Sequence, residues 1–325
     1  MSALDATTET ARRSLTGRRV RPGDLILQLV AGAAALAVAV LLGLIAWKIV
    51  EGARLSLSTF GLGFLTHVGW DPVHNQMGAA TFLFGTAVTS LGALLLATPL
   101  ALGIALFLTE LAPRWLRGPV TALVETLAAI PSVVIGLWGI IVLGPLLSQH
   151  VMPWLHSALG FIPLFGEPQG TGESVFTAVI VLTIMILPII SSISRELFLG
   201  VPGELKEAAL GLGTTRWEMV RGVIFPYARG GVAAAMILGL GRAVGEAIAV
   251  AQVIGGVDNL ISWNLFNGGN SLAAKIANEY SGASTNLETS SLFYLGLILL
   301  VFSLVVNVTA QVIVRRVARR QGLAR

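Results

Sequence analysis

Six long runs of residues without charged side chains constrain this chain more than any other feature. A helix needs about 20 mainly apolar residues to cross the hydrocarbon core of a membrane. Only 12% of the 325 residues are charged and the mean hydropathy is +0.82, whereas soluble domains carry about 25% charged residues. The predicted spans are Leu25–Trp47, a helix within Met77–Thr109, another within Thr126–Gln149, then Ser174–Ser194, Gly230–Val257 and Thr289–Val314. The sequence therefore predicts an all-α polytopic membrane protein with six transmembrane helices.

Four prolines fall inside the predicted spans. They are Pro99 in the second span, Pro131 and Pro145 in the third, and Pro188 in the fourth. Membrane helices tolerate proline because neighbouring helices and local water satisfy the carbonyl groups it leaves unpaired. We therefore expect these residues to bend their helices without ending them.

The positive charges lie in short clusters between the spans, and their distribution predicts the orientation. The N-terminal tail, the loop at Arg114 and Arg117, the segment Arg195–Arg229 and the C-terminal tail hold 17 Lys and Arg residues, and the opposite segments hold three. Because cytoplasmic loops are enriched in Lys and Arg, both termini are predicted to lie in the cytoplasm. The protein itself is predicted to lie in the cell membrane. The net charge of +4 is then explained by the positive charges that orient the chain in the lipid membrane. No nucleic-acid partner is expected.

The predicted organisation is a mobile cytoplasmic tail at residues 1–20, a transmembrane domain at 21–316 and a cytoplasmic tail at 317–325. Basic residues before an apolar run resemble a secretory signal. However, the 23 uncharged residues of the first run exceed the apolar region of a typical secretory signal, and no small-residue cleavage pattern follows them. We therefore expect an uncleaved first span.

Two predicted external segments are long enough to have structure of their own. Residues 146–173 contain three prolines, and residues 256–288 are rich in Asn and Gly. Within the second, Ser271–Tyr280 predicts a short helix. These segments are either a docking surface or plain connectors, and the sequence leaves both interpretations open.

Several kinds of chemistry are absent from the sequence. No cysteine is present, which excludes disulfides, thiolate metal sites and a thiol nucleophile. A nucleotide-binding P-loop needs Gly-Lys followed by Ser or Thr, but the three lysines follow Trp47, Leu205 and Ala274. His-Glu-x-x-His and Gly-x-Ser-x-Gly patterns are also missing. We predict that the chain is not an enzyme and has no metal site, so a carrier, channel or permease remains.

The cytoplasmic loop at residues 200–228 predicts two short helices. The first begins after Pro202 and runs to about Leu210, where glycines stop it. Thr215 caps the second, and Glu218 three residues later completes a capping box.

The second helix of this loop carries an apolar pattern. Trp217, Val220 and Ile224 are spaced to share one face of a helix, and Pro226 is predicted to end the unit before the fifth span. The alternative is an amphipathic connector that lies on the membrane surface.

The loop also carries a specific spacing, made by Glu207, Ala208, Ala209, Gly213, Val223, Phe225 and Pro226. This spacing resembles the EAA loop of binding-protein-dependent ABC importer permeases, with Val223 and Phe225 as conservative departures from Ile and Leu. In that family the loop is a coupling helix seated in a cleft of the ATPase subunit. The resemblance implies that Glu207, Ala208, Ala209, Gly213 and Pro226 couple this chain to a separate ATPase, which holds ATP and Mg²⁺. No cofactor is then expected in this chain.

Two charged residues interrupt the fifth predicted span. Arg242 lies about midway along it and Glu246 lies four residues later, so on one helix the two would share a face. A charge at mid-membrane costs about 2.5–3.5 kcal/mol on insertion scales, which makes a functional role the default. One interpretation is a self-neutralising structural pair, and the other is a substrate gate in which guanidinium binds a tetrahedral oxyanion. Gly241 and Gly245 form a GxxxG spacing that favours close helix approach.

Four further segments extend the resemblance and indicate which substrate is expected. They are Gly-Leu-Gly-Arg-Ala-Val-Gly-Glu-Ala at 239–247, Ala-Ile-Pro-Ser-Val-Val at 129–134, Leu-Pro-Ile-Ile-Ser-Ser-Ile-Ser-Arg-Glu at 187–196 and Phe-Leu-Thr-Glu at 107–110. Together they resemble the PstC type of phosphate permease over about residues 20–316. The resemblance implies that Arg242 and Glu246 help to move phosphate. Glu110 belongs to the resemblance too, although Glu110 and Glu125 are also compatible with ordinary interfacial charges.

The resemblance implies a six-helix permease of type I ABC importer architecture that forms half of a translocation path. Its expected partners are a second permease of the PstA type, an ATPase dimer of the PstB type and an external phosphate-binding protein of the PstS type. Alternatives are transport of another oxyanion such as sulfate or molybdate, a secondary anion transporter, and a scaffold or sensor that transports nothing.

Overall fold

A computed structural model describes residues 22–320, and the chain is 78% helical. The predicted tail at residues 1–20 lies outside the described residues, as do residues 321–325. The chain divides into two compact units at Glu51–Gly52. The described part of the first unit, residues 22–51, is a single helical segment whose side chains are mostly exposed. The second unit holds the remaining elements.

The helices before the predicted coupling loop are numbered in chain order. They are α1 (Pro22–Phe60), α2 (Ala80–Leu106), α3 (Arg114–Ala129), α4 (Ser132–Trp138), α5 (Gly144–Leu146), α6 (Met152–Leu159) and α7 (Val175–Leu199). Wider π-helical turns at Phe107–Leu111, Gly139–Leu143 and Leu147–Val151 join or extend several of them. Short 3₁₀ turns occupy Gly61–Leu65 and Pro163–Phe165, and a hairpin pairs β1 (Trp70–Asp71) with β2 (Gln76–Met77).

The remaining helices are α8 (Gly203–Gly211), α9 (Arg216–Met219), α10 (Phe225–Gly245), α11 (Ile248–Val253), α12 (Leu272–Glu279) and α13 (Asn286–Arg320). A π-helical turn at Val220–Ile224 joins α9 to α10. Because α13 continues to Arg320, no break in the helix marks the predicted domain end at residue 316.

Six helical stretches of the described chain are long and apolar enough to cross a membrane. They are Gly23–Leu65, Ala80–Leu111, Ser132–Leu159, Val175–Leu199, Arg216–Gly245 and Asn286–Val312, called spans one to six below. The number of spans predicted from sequence is therefore confirmed, and the chain is a multi-pass membrane protein. The bounds of the first, third and fifth spans differ most from the prediction, and the fourth span ends five residues later than predicted, at Leu199.

The first span is longer than predicted because its helix continues past charged residues. Lys48 and Glu51 lie one turn apart and form an ion pair of 2.8 Å, so these charges are compatible with a helix that extends to Phe60.

The third span begins later than predicted. Thr126 belongs to the separate helix α3, and the chain is extended at Ile130 and Pro131 before α4 begins. A residue before proline is disfavoured in the helical conformation, so Pro131 marks a boundary and the prediction of a kink there was wrong. The other three prolines, Pro99, Pro145 and Pro188, lie inside continuous helical spans as predicted.

The external segments are more helical than the sequence analysis assumed. Residues 146–159 continue the third span as π-helix and α6. The predicted helix at Ser271–Tyr280 is confirmed as α12, with the Ser271 side chain accepting a hydrogen bond from the backbone N–H of Ala274.

Span four is the most buried of the six and packs against α2 and α10. Small residues allow this close packing. A Cβ atom at Gly92 would lie 3.1 Å from Val179, and one at Gly239 would lie 2.9 Å from Ile190. Glycines at these contacts let the helix backbones approach closely, which places α10 firmly against the core.

A second core lies around the hairpin and α12, and it contains a buried cation. Lys275 is 1% exposed and forms ion pairs with Asp258 at 2.5 Å and with Glu279. Its Nζ atom also lies 5.0 Å from the centre of the Trp70 ring. Because a buried charge must be paired, these contacts anchor α12 to the loop before it and to the hairpin.

Span two lies so close to the loop before α12 that adding one methyl group at this contact should destabilise the protein. A Cβ atom at Gly85 would lie 1.9 Å from the carbonyl oxygen of Asn270. We expect Gly85→Ala to lower the free energy of unfolding by about 1–3 kcal/mol, as overpacking does, measured as a lower unfolding temperature of the purified protein in detergent. Gly103→Ala is the matched control on the same helix, since nothing lies within 4 Å of its Cβ position. Equal unfolding temperatures for the two variants would contradict this description of the contact.

Candidate functional site

The helix of span five ends at Gly245, shortly after the arginine that the sequence analysis singled out. Glu246 is extended, with φ −74° and ψ 118°, and α11 begins at Ile248. The Glu246 side chain accepts a 3.4 Å hydrogen bond from the backbone N–H of Ala249. Glu246 therefore holds the break between two helices, and the prediction of one continuous span over Gly230–Val257 was wrong.

Arg242 and Glu246 both lie at the end of α10. Arg242 lies in the last turn of α10, whereas the sequence analysis placed it midway along the span. Glu246 follows the last helical residue, and its ψ of 118° directs the chain out of the helix. Among residues 22–320, no ion pair joins them and Arg242 has no recorded hydrogen-bond partner. The interpretation as a self-neutralising pair is therefore not supported within residues 22–320, and the substrate gate stays a prediction.

Arg242 is exposed and lines a cavity of about 820 Å³. Spans four, five and six form the walls: Ile189 comes from the fourth, and Asn307 and Gln311 come from the sixth. The cavity therefore combines one guanidinium group with two neutral amides, while its other lining residues are apolar or Gly. Such a surface provides hydrogen-bond donors and one positive charge for an anion.

The glycines around Arg242 have different neighbours. A Cβ atom at Gly241 would lie 3.8 Å from Oδ1 of Asn307, so this position brings span six close to span five. By contrast, nothing lies within 4 Å of the Cβ position of Gly245. The predicted GxxxG contact therefore involves only its first glycine within the described chain, and that glycine places Asn307 beside Arg242.

The predicted coupling loop has the two short helices expected from its sequence. Glu207 and Ala208 are exposed on α8 and Ala209 is half-buried. Gly213 has a φ of +83°, a conformation that favours glycine, and it ends the turn after α8. No residue of α8 is buried, so nearly the whole helix is accessible to a partner.

Apolar side chains on this loop are exposed. They are Leu205, Leu210, Leu212 and Trp217, and Leu212 is 85% exposed. Exposed apolar side chains grouped in a short loop are typical of a surface that contacts another protein or a membrane. The loop therefore has the surface expected of a docking element.

The capping box of Thr215 and Glu218 at the start of span five is confirmed. The predicted apolar face of this helix is not. Val220 and Ile224 are buried, but Trp217 is 65% exposed. The π-helical turn between Val220 and Ile224 has a wider period than an α-helix, so the spacing i, i+3 and i+7 does not give one face.

Pro226 does not end the loop as predicted. It lies in the first turn of α10, after the π-helical turn, and the helix continues from Arg216 to Gly245. Proline is compatible with such a position because the first N–H groups of an α-helical segment need no α-helical partner.

Glu110 has contacts that sequence reasoning did not predict. Its carboxylate accepts a 2.6 Å hydrogen bond from Lys206 on α8, and its carbonyl oxygen accepts a 3.2 Å bond from Arg216. Glu125, which looked equivalent in the sequence, is exposed and has no recorded ion pair within the described residues. The pairing of Glu110 with Lys206, 96 positions away, left no signal in the local sequence.

Comparison with known proteins identifies the family of this chain. A family model described as a binding-protein-dependent transport system inner membrane component matches residues 97–319, which include both the coupling loop and Arg242. The chain belongs to this family. It is therefore a transport component, as predicted.

Several curated relatives align over nearly the whole chain. The phosphate transport system permease protein PstC of Mesorhizobium japonicum is 44% identical over 329 residues, covering 99% of this chain and 100% of that protein. PstC of Xylella fastidiosa (strain Temecula1) is 42% identical, with coverage of 94% and 95%. PstC 2 of Mycobacterium tuberculosis is 41% identical, with coverage of 94% and 96%. The resemblance to the PstC type drawn from the sequence motifs is confirmed.

Solved structures of lower identity share the fold. A chain of a bacterial alginate ABC transporter, solved with an alginate pentasaccharide-bound periplasmic protein, is 14% identical with a TM-score of 0.59, covering 92% of this chain and 98% of that one. A chain of the inward-facing MetNI methionine ABC transporter is 21% identical with a TM-score of 0.51, covering 72% and 93%. The predicted six-span permease architecture of type I ABC importers is confirmed.

Proposed function

We propose that this chain is the permease subunit of an ATP-driven phosphate importer and lines half of its translocation path. The observation that carries the proposal is the guanidinium of Arg242, which lines the cavity between spans four, five and six and has no ion-pair partner among residues 22–320. A cation without an acid partner attracts an anion, and a planar guanidinium fits the oxygen atoms of phosphate. The PstC relatives support phosphate as that anion.

Glu246 has a different role from Arg242 in this proposal. Its side chain holds the break that ends α10, so it sets the position of the last turn in which Arg242 lies. It also keeps a negative charge near the path, which repels phosphate and favours its release. Both residues act on the same step, although they do not pair with each other.

The energy comes from a separate ATPase dimer of the PstB type, which binds ATP and Mg²⁺, so this chain carries no catalytic site. The exposed residues Glu207 and Ala208 of α8 dock in a groove of that subunit, while Ala209, Gly213 and Pro226 shape the loop. A PstA-type permease completes the path, and a PstS-type binding protein delivers phosphate to the external segments. Both termini then lie in the cytoplasm, with the protein in the inner membrane.

The proposal is tested by uptake of radiolabelled phosphate into proteoliposomes that contain the four-component importer. We expect uptake to require ATP and the binding protein, and not to require an ion gradient. Unlabelled phosphate should compete, whereas sulfate and molybdate should not. Uptake driven by an ion gradient alone would indicate a secondary transporter, and competition by sulfate would indicate a different oxyanion.

The cavity gives one further prediction, at Asn307. Its amide lines the same cavity as Arg242, and a neutral hydrogen bond contributes about 0.5–1.5 kcal/mol. We therefore expect Asn307→Leu, which keeps the shape of the side chain, to lower phosphate uptake about 2- to 12-fold at limiting phosphate concentration. Gln28→Leu is the control, since Gln28 is an exposed amide of α1 that does not line the cavity. Equal uptake by Asn307→Leu and the wild type would remove Asn307 from the path.

A further inference from the structure

The cytoplasmic end of span two is joined to α8 by a partly buried ion pair. Glu110 lies in the π-helical turn Phe107–Leu111, and its Oε1 atom is 2.6 Å from Nζ of Lys206. The two side chains are 13% and 18% exposed, respectively. Because little water reaches them, the attraction between the two charges is screened less than it is on an open surface.

The same two residues contact two other spans. Lys206 donates a second hydrogen bond, 3.2 Å long, to the carbonyl oxygen of Phe198 at the end of span four. The carbonyl oxygen of Glu110 accepts a bond from Arg216, the first residue of span five. The ends of spans two, four and five therefore meet α8 at one charged pair.

Other attachments of α8 to the membrane helices are weak. No residue of α8 is buried. Ala209 is half-buried and packs on the apolar cluster that contains Phe198 and Ile224, but a methyl group presents little contact area. The ion pair is thus the firmest side-chain link in the described chain between α8 and span two.

We propose that Glu110 and Lys206 are positioning residues that pass the displacement of α8 to spans two and four. This inference rests on the proposed function, in which the ATPase moves α8 during each cycle. A short pair of opposite charges with little water around it resists separation, so span two follows α8. Without the pair, α8 moves with the ATPase while span two lags behind it, and hydrolysis is uncoupled from transport.

The test compares variants of the complete importer in proteoliposomes, with phosphate uptake and ATP hydrolysis measured in the same preparation. For Glu110→Gln and for Lys206→Met we expect retained ATPase assembly and hydrolysis within twofold of the wild type. The phosphate transported per ATP hydrolysed should fall at least about fivefold. The charge exchange, Glu110→Lys with Lys206→Glu, should restore most of that ratio. Glu125→Gln is the matched control and should leave the ratio unchanged.

A neutral pair provides a second measurement if the exchanged pair does not assemble. In the double variant Glu110→Gln with Lys206→Met, the loss should be about equal to that of either single variant, because both break the same link. If the loss in the double variant equals the product of the two single losses, the residues act independently and the inference is overturned. Parallel falls of uptake and hydrolysis would also overturn it, since they would indicate a purely structural role. If the wild-type importer transports no phosphate at all, the proposed function is wrong, and the inference that rests on it is wrong as well.

Discussion

Replacement of Arg242 by Gln is expected to reduce phosphate uptake at least about tenfold while the importer still assembles. A hydrogen bond to a charged group contributes about 1.5–3 kcal/mol, which corresponds to about 10- to 150-fold. Gln keeps a polar side chain, but it is uncharged and shorter than Arg. Arg242 is exposed to the cavity and has no recorded ion-pair partner within residues 22–320. Its removal therefore leaves no unpaired acid behind, and the loss should appear in transport and not in folding.

Two further variants sharpen this test. Arg242→Lys keeps the positive charge but loses the planar fork of donors, so uptake should fall between that of the wild type and that of Arg242→Gln. Arg54→Gln removes an exposed arginine of α1 and should have no effect on uptake. Unchanged uptake by Arg242→Gln, measured with limiting radiolabelled phosphate, would exclude Arg242 from the substrate path.

Replacement of Ala208 by Trp is expected to abolish uptake by preventing the ATPase from binding. Ala208 is exposed on α8, so a larger side chain is accommodated by the isolated chain. A partner groove that fits a helix with small residues has no room for an indole, and overpacking of a close contact is strongly unfavourable. We expect the ATPase subunit to be lost when the complex is purified through a tag on this chain.

The conservative variant provides the control for this second prediction. Ala208→Ser adds one hydroxyl group and should retain the ATPase and most of the uptake. The unfolding temperature of the purified permease should be the same for the wild type and for both variants. Normal recovery of the ATPase with Ala208→Trp would show that this face of α8 is not the docking surface.

Much of the architecture was predictable because a membrane restricts the choices of a chain. The apolar runs predict six spans, and local rules place the ends of the coupling helices. Examples are the capping box of Thr215 and Glu218 and the positive φ of Gly213. These features depend on residues within one or two turns of each other, and such local relations can be recognised in a single sequence.

Other features depend on packing and were predicted incorrectly or not at all. The apolar composition of Gly230–Val257 gave no sign that the helix ends at Gly245. The spacing of Arg242 and Glu246 left an ion pair open as one interpretation, and the described residues do not form it. The spacing of Trp217, Val220 and Ile224 indicated one α-helical face, but a π-helical turn changes that register. Glu110 and Glu125 looked alike, and only one of them meets a lysine of the coupling helix.

The sequence by itself determined the membrane class, the number of spans, the resemblance to PstC-type permeases and the position of the two short helices between spans four and five. Hydropathy and local spacing are properties of neighbouring residues, which is why they can be read in chain order. Tertiary structure alone decided which charges pair. Arg242 faces a cavity whose lining in the described chain contains no acid, and Glu110 binds Lys206 from another segment. The physical reason is that an ion pair acts over a few ångströms, and only folding brings distant parts of the chain that close.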